Sequence, residues 1–212
     1  MPLRLTEIFY SLQGETRTVG LPTVFIRLTG CPLRCGYCDT AYAFSGGKIY
    51  EIEAILEQVA EYSPRYVTVT GGEPLAQPAC LILLKELCDA GYEVSLETSG
   101  AMDISKVDHR VVIVMDLKTP GSNEDSKNLW TNLEALKSTD QIKFVMCNRA
   151  DYEWSKEKVK EHRLSERFQV LFSPSYQELE ATSLAEWILA DRLKVRFQIQ
   201  LHKILWGNKP GV

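Results

Sequence analysis

Cys31, Cys35 and Cys38 lie within eight residues of one another, in "RLTGCPLRCGYCDTAY" (residues 27–42), with the spacing C-x3-C-x2-C. They sit among Gly, Pro and Arg, in a loop and not on an apolar face. Three close thiols in a chain without a disulfide framework point first to metal. Structural zinc needs four protein ligands in a closed tetrahedron. The nearest histidine in the sequence after this loop is His109, more than seventy residues on, so a zinc site would need a distant ligand folded in. Iron–sulfur clusters are held by thiolates, usually four. Three thiolates on a four-iron cluster leave one iron open, and an open metal position is what catalysis needs. The other cysteines, Cys80, Cys88 and Cys147, lie in apolar stretches such as "ACLILLKELCDAG" and read as small buried hydrophobes.

The rest of the chain must position that loop. Its 212 residues are 45% hydrophobic and 25% charged, an ordinary globular composition for one domain spanning residues 1–212. A net charge of −4 gives no general attraction to nucleic acid or to an anionic membrane. No apolar run is long enough to span a bilayer. The start, "MPLRLTEIFYSL", lacks a signal-peptide pattern, so the expected compartment is the cytoplasm. β-Rich runs recur at 23–30, 65–72, 93–100, 111–118, 140–146, 168–175 and 196–203. Helical patterns are expected at 51–62, 78–91, 128–138, 149–162 and 183–194. About six strand–helix alternations imply an α/β fold with a parallel sheet, too few for an eight-fold barrel and suited to a partial, open β/α barrel. Sites in such folds gather at the C-terminal ends of the strands. The cysteine loop, "TGGEP", "ETSG", "DLKTP" and "SPS" all fall there.

The cysteine spacing, with aromatic Tyr37 before the last cysteine, resembles the signature of radical S-adenosylmethionine enzymes. "TGGEP" at 70–74 is similar to the glycine-rich segment of that superfamily, which meets the methionine amino group. The resemblance implies a 4Fe-4S cluster whose open iron binds S-adenosylmethionine. Reductive cleavage there yields a 5′-deoxyadenosyl radical. Further blocks narrow the likeness: "EIFYSLQGE", "FIRLTGC", "CDTAYAF", "VTVTGGEPLAQ", "ETSG", "DLKTPGS" and "QIQLHK", spread over residues 7–203. Together they resemble the 7-carboxy-7-deazaguanine synthase family, which rearranges 6-carboxy-5,6,7,8-tetrahydropterin to 7-carboxy-7-deazaguanine with release of ammonia, on the way to queuosine and other deazapurines.

What the resemblance implies can be placed residue by residue. Cys31, Cys35 and Cys38 would hold the cluster. Leu12, Gln13, Gly14, Arg27, Thr70 and Glu97 would face the pterin. The Arg27 guanidinium suits a bidentate carboxylate contact, and Glu97 suits an N–C–N edge. Tyr37, Cys38, Asp39, Gly72, Asp116, Leu117, Lys118 and Ser173 would contact S-adenosylmethionine. Thr40 would ligate Mg2+, a hard cation that takes oxygen ligands. Each has a structural alternative: an ion pair for Arg27 and Glu97, a turn for Gln13–Gly14, a cap for Thr40. Lys143 is either a site residue or the end of a surface strand, and His202 is a candidate pocket residue. In some members a terminal proline carboxylate enters the pocket, whereas here Gly211 and Val212 follow Pro210. The partners implied are the small pterin and an electron donor, with flavodoxin or ferredoxin as candidates and a homodimer as the candidate assembly. A glycyl-radical activating enzyme would use the same cluster on a protein partner. A non-enzymatic zinc or iron–sulfur protein would use the cysteines without turnover.

Overall fold

The computed structural model describes residues 1–209 and 211–212. In chain order the elements are β1 (Pro2–Leu12), β2 (Pro22–Leu28), β3 (Lys48–Glu51), α1 (Ile52–Glu61), β4 (Tyr66–Gly71), α2 (Cys80–Asp89), β5 (Glu93–Thr98) and β6 (Val112–Asp116). Then come β7 (Gln141–Met146), α3 (Arg149–Glu161), α4 (Leu164–Arg167), β8 (Gln169–Pro174), α5 (Ala181–Ala190), β9 (Arg196–Phe197) and α6 (Leu201–Trp206). The nine strands form one sheet in the order β3-β1-β2-β4-β5-β6-β7-β8-β9. From β2 to β9 all neighbours run parallel, while β1 pairs antiparallel with both β2 and β3. With β3 at one edge and β9 at the other, the sheet stays open, which is the partial barrel expected from the strand–helix count.

The central strands are near-continuous apolar runs because both of their faces are covered. Val24–Ile26, Val67–Thr70 and Val170–Pro174 are all buried. The helices bury one stripe each. In α2 that stripe is Cys80, Leu83, Leu84 and Leu87, at helical spacing; in α1 it is Ile52, Ile55 and Val59. Asn148 caps α3, its side-chain oxygen accepting from Asp151 N–H at 3.0 Å. These faces merge into one core.

Four segments differ from the sequence expectation. Residues 2–12 and 48–50, left without an element in the sequence reading, are strands, and Glu51, expected to open a helix, ends the second of them. The helix expected at 128–138 is a short 3-10 turn, Trp130–Glu134. Its asparagines bond backbone instead of lying on a helix face: Asn128 clamps Lys118 N–H and C=O, both at 2.8 Å, and Asn132 donates to Gly100 and Met102. The strand expected at 196–203 is only two residues long and gives way to α6. Here the chain leaves the sheet to hold the loop after β1. Gln198 accepts from Thr16 N–H at 3.0 Å, and Leu201 N–H donates to Gly14 C=O at 3.0 Å.

Candidate active site

The strand ends open into one cavity of about 370 Å³, bounded by the cysteine loop, the GGEP turn, the ends of β5–β7, the 12–15 loop and α6. Cys31, Cys35 and Cys38 all line it, half-buried and unpaired. Among the described residues, no three His, Cys, Asp or Glu side chains converge as on a single ion. Three unpaired thiols lining one cavity suit a cluster, in which each thiolate takes a different iron. Burial raises the pKa of all three; that of Cys35 is pushed up to about 11. They are therefore protonated at neutral pH until iron displaces the proton.

Glycines let the second loop lie against the first. A Cβ on Gly72 would fall 2.2 Å from Gly30 C=O and 2.7 Å from Cys31 Cβ. Gly72 N–H donates to Leu28 C=O at 3.2 Å, so a ligand at this residue would meet its carbonyl. Glu73 then pins the turn. It is fully buried and accepts from Leu75 N–H (3.0 Å), Ser99 N–H (2.7 Å), Ser99 Oγ (2.5 Å) and Thr98 Oγ1 (2.9 Å). "GGEP" and "ETSG" are thus one hydrogen-bonded unit.

Most residues expected to face the pterin share a wall. Gln13 is buried and donates to Thr68 Oγ1 and Glu97 Oε1, each at 3.3 Å. Thr70 Oγ1 donates to Glu97 Oε2 at 3.2 Å. Burial, the largest influence on Glu97, raises its pKa above the ordinary carboxylate value. Leu12, Gly14 and Arg27 also line the cavity. Arg27 does make an ion pair, Nε to Glu7 Oε1 at 2.7 Å, but through one nitrogen only. Tyr42 OH donates to the same oxygen at 2.8 Å, and the guanidinium lies over the rings of Phe9 and Tyr42. Held this way, its terminal nitrogens stay available for an anion.

Beyond the cysteines, Asp39 meets α6. Burial alone would raise its pKa, but hydrogen bonds from His202 and Thr40 and the charge of Lys203 hold it well below the usual range. Thr40 Oγ1 donates to Asp39 Oδ1 at 2.8 Å, leaving its lone pairs for a cation. His202 lies so close to Gly14 that a Cβ there would come within 2.3 Å of its Nδ1. Tyr37 and Lys118 line the cavity, with Lys118 Nζ 5.7 Å from the Tyr37 ring centroid. Lys118 Nζ also lies 3.0 Å from Asp116 Oδ2.

Two expected contacts fall elsewhere. Leu117 is fully buried in the core, because its side chain points to the opposite face of the sheet from Asp116 and Lys118; only its backbone is near the site. Ser173 is fully buried within β8 and does not line the cavity; Ser175, Tyr176 and Gln177, just past the strand end, do. Pro210 lies outside the described residues, while Val212 lines the cavity. Sequence reasoning missed Glu7, Glu15, Glu73 and Tyr42. Glu7 and Glu15 stand within the "EIFYSLQGE" block, and Glu73 in "GGEP", yet no spacing rule reveals which partner each finds.

Residues 25–161 match the family model described as the radical SAM superfamily. The chain is 42% identical to the 7-carboxy-7-deazaguanine synthase of Chlorobaculum tepidum, over 97% of this chain and 95% of that one. It is 39% identical to the enzyme of the same name from Koribacter versatilis, over 96% and 97%. Among solved structures, QueE from Escherichia coli superposes with a TM-score of 0.77 at 23% identity, covering 94% of each chain. Streptococcus suis SuiB bound to S-adenosylmethionine superposes at 0.58 and 15% identity, over 81% of this chain and 44% of that one. The superfamily's 4Fe-4S cluster and S-adenosylmethionine are therefore this chain's cofactors. The chain belongs to the 7-carboxy-7-deazaguanine synthase family of radical S-adenosylmethionine enzymes, which serves deazapurine biosynthesis.

Proposed function

We propose that this cavity converts 6-carboxy-5,6,7,8-tetrahydropterin to 7-carboxy-7-deazaguanine with release of ammonia. The observation that carries the reading is the part of the cavity where Arg27 is held with its terminal nitrogens free and Gln13, Thr70 and Glu97 form one hydrogen-bonded set. A flat heterocycle bearing a carboxylate fits that pairing of cation and acceptor edge. When bound, the cluster and S-adenosylmethionine supply a 5′-deoxyadenosyl radical. Cys31, Cys35 and Cys38 hold the cluster. The carbonyl of Gly72, with Tyr37, Cys38, Asp39, Asp116 and Lys118, binds the cofactor, and Leu117 takes part through its backbone alone. The adenine end rests on Ser175–Gln177 rather than on Ser173. Arg27 fixes the substrate carboxylate, Glu97 the guanidine-like edge, and Leu12–Gly14 the ring edge. α6 covers the pocket through His202 and excludes water.

Thr40 is assigned to Mg2+, at the place where cluster wall and substrate wall meet. Thr40→Val should remove most of the Mg2+ dependence of product formation and leave uncoupled cofactor cleavage nearly unchanged; superimposable Mg2+ curves would make Thr40 a turn residue only. We also read residues 1–212 as a single domain, supported by one sheet running through the chain. Among the described residues no helix is long and apolar enough to cross a membrane, which suits a cytoplasmic enzyme. Flavodoxin or ferredoxin would supply the electron, and a homodimer is the proposed assembly. The relatives' names do not favour a glycyl-radical activating protein. The test is to incubate the reconstituted enzyme anaerobically with S-adenosylmethionine, reductant, Mg2+ and the pterin. The deazapurine chromophore should appear; cofactor cleavage without it would overturn the substrate assignment.

A further inference from the structure

Lys143 enters the cavity from the middle of β7, where a buried amine needs partners. It has two. Its Nζ donates to Glu15 Oε2 at 2.6 Å and lies 3.5 Å from Asp116 Oδ2. All three side chains are less than a fifth exposed. Burial alone would lower the lysine's pKa, but Glu15, Asp116 and Glu97 outweigh it, so the amine stays charged. Each carboxylate spends one oxygen on this cation. The other oxygen, Glu15 Oε1 or Asp116 Oδ1, is buried without any partner. Both residues line the cavity. A buried acceptor left unmade is costly, so two of them, on either side of one lysine and facing one cavity, point to ligand donors that complete them.

The two carboxylates are not equally anchored. Asp116 keeps a second cation, Lys118 at 3.0 Å, whereas among the described residues Glu15 has no other charged partner. Lys143 therefore refers the position of Glu15 to that of Asp116. Asp116 belongs to the cofactor wall and Glu15 to the loop beside Gln13 on the substrate wall. We propose that Lys143 is a positioning residue that sets the substrate wall in register with the cofactor wall, so that Glu15 Oε1 accepts from the pterin while Asp116 Oδ1 accepts from the ribose of S-adenosylmethionine. The inference rests on the functional reading above. Radical transfer requires two bound molecules at near-contact distance, and small misplacements are expensive in rate. A cation bridging the two acceptors supplies that spacing.

The test uses cluster-loaded protein carrying Lys143→Met, beside Lys143→Met/Glu15→Gln. The double variant relieves the uncompensated buried carboxylate that the single one leaves, so it should melt above the single variant and remain usable if that one folds poorly. In unreduced protein, where no turnover occurs, calorimetry should show pterin binding weakened about tenfold or more in both variants. Cofactor binding should change by less than about threefold, because Asp116 keeps Lys118. Under reduction, 5′-deoxyadenosine released per deazapurine should rise about tenfold. Unchanged pterin affinity and an unchanged ratio in folded variants would overturn the inference, as would equal weakening of both ligands. A wild type that binds no pterin would bring down the functional reading and the inference together. A wild type that binds and turns over like its variants would bring down the inference alone.

Discussion

Two sets of carboxylates, Glu73 buried outside the cavity lining and Glu15 with Asp116 within it, differ in how they are satisfied. Glu73 accepts from four donor groups, two backbone amides and two hydroxyls, and has nothing left to offer. Glu15 and Asp116 each hold one oxygen on a lysine and leave the other without a partner. Glu73 fastens the GGEP turn to the end of β5, so it serves the fold. The other two each keep one unpartnered oxygen beside the cavity, which is why ligand roles are proposed for them. On this account a carboxylate with filled acceptors is structural, and one with an open acceptor facing the cavity is available to a ligand.

That contrast can be broken by substitution, beginning with the groups left open for metal. Cys35→Ala should abolish cluster-dependent cofactor cleavage, as should Cys31→Ala and Cys38→Ala, while Cys80→Ala leaves iron content unchanged; iron analysis with a cleavage assay decides it. Retained cleavage in a three-cysteine-loop variant would mean that the cluster is held elsewhere. Next in size is Arg27→Ala. Removing a charge-assisted contact costs about 1.5–3 kcal/mol, so the pterin should bind roughly 10- to 150-fold more weakly with the cluster intact. Equal loss of both would make the Glu7 ion pair its only role.

The closed side predicts a different signature. Glu73→Gln turns one acceptor into a donor that faces Ser99 N–H, and an unsatisfied buried group costs about 1–3 kcal/mol. The melting midpoint should fall by roughly 2–12 °C, with the pterin KM of the surviving folded enzyme unchanged. A KM effect without a stability effect would erase the distinction between the two sets. The smallest effect belongs to Glu97, whose raised pKa means that folding binds its proton more tightly than the unfolded chain does. Its contribution is thus complete below the ordinary glutamate pKa and is lost as pH rises through the raised value. The ligand-free Glu97→Gln protein should melt like wild type at acidic pH and above it at neutral pH. A variant that melts below wild type at neutral pH would show that Glu97 is compensated as fully as Glu73.

The sequence carried the sheet and the placing of the cysteine loop because β2, β4, β7 and β8 are short runs rich in β-branched and aromatic residues between turn residues. It was silent on β1, where "LTEIFYSL" mixes charged and aromatic residues because that strand lines the cavity as well as the core. It misled at "QIQLHK", whose alternation mimics a strand although Gln198 and Leu201 leave the sheet to bind the 14–16 loop. Motif likeness singled out Arg27, Gln13 and Glu97, which line the cavity, but did not show that Glu7 and Tyr42 orient the arginine or that Lys143 joins Glu15 to Asp116. Those pairings span 20 to 128 positions of chain, and only the folded sheet decides them. Leu117 misses the cavity for a local reason: along a strand, side chains alternate between core and cavity, and it falls on the core side; Ser173 shares its face with Val145 and Ser175 but is buried below the cavity lining.

If the open acceptors await ligands, ligands must stabilise the protein that carries them. The direct measurement is the melting midpoint of unreduced, cluster-loaded enzyme, alone, with S-adenosylmethionine, and with S-adenosylmethionine plus 6-carboxytetrahydropterin. A ligand at 100 times its Kd adds about 2.7 kcal/mol, roughly 5–10 °C for a chain of this length. The midpoint should therefore climb at each addition, and by the same steps in Glu73→Gln from a lower start. A midpoint that rises with the cofactor but does not move when the pterin is added would contradict the account.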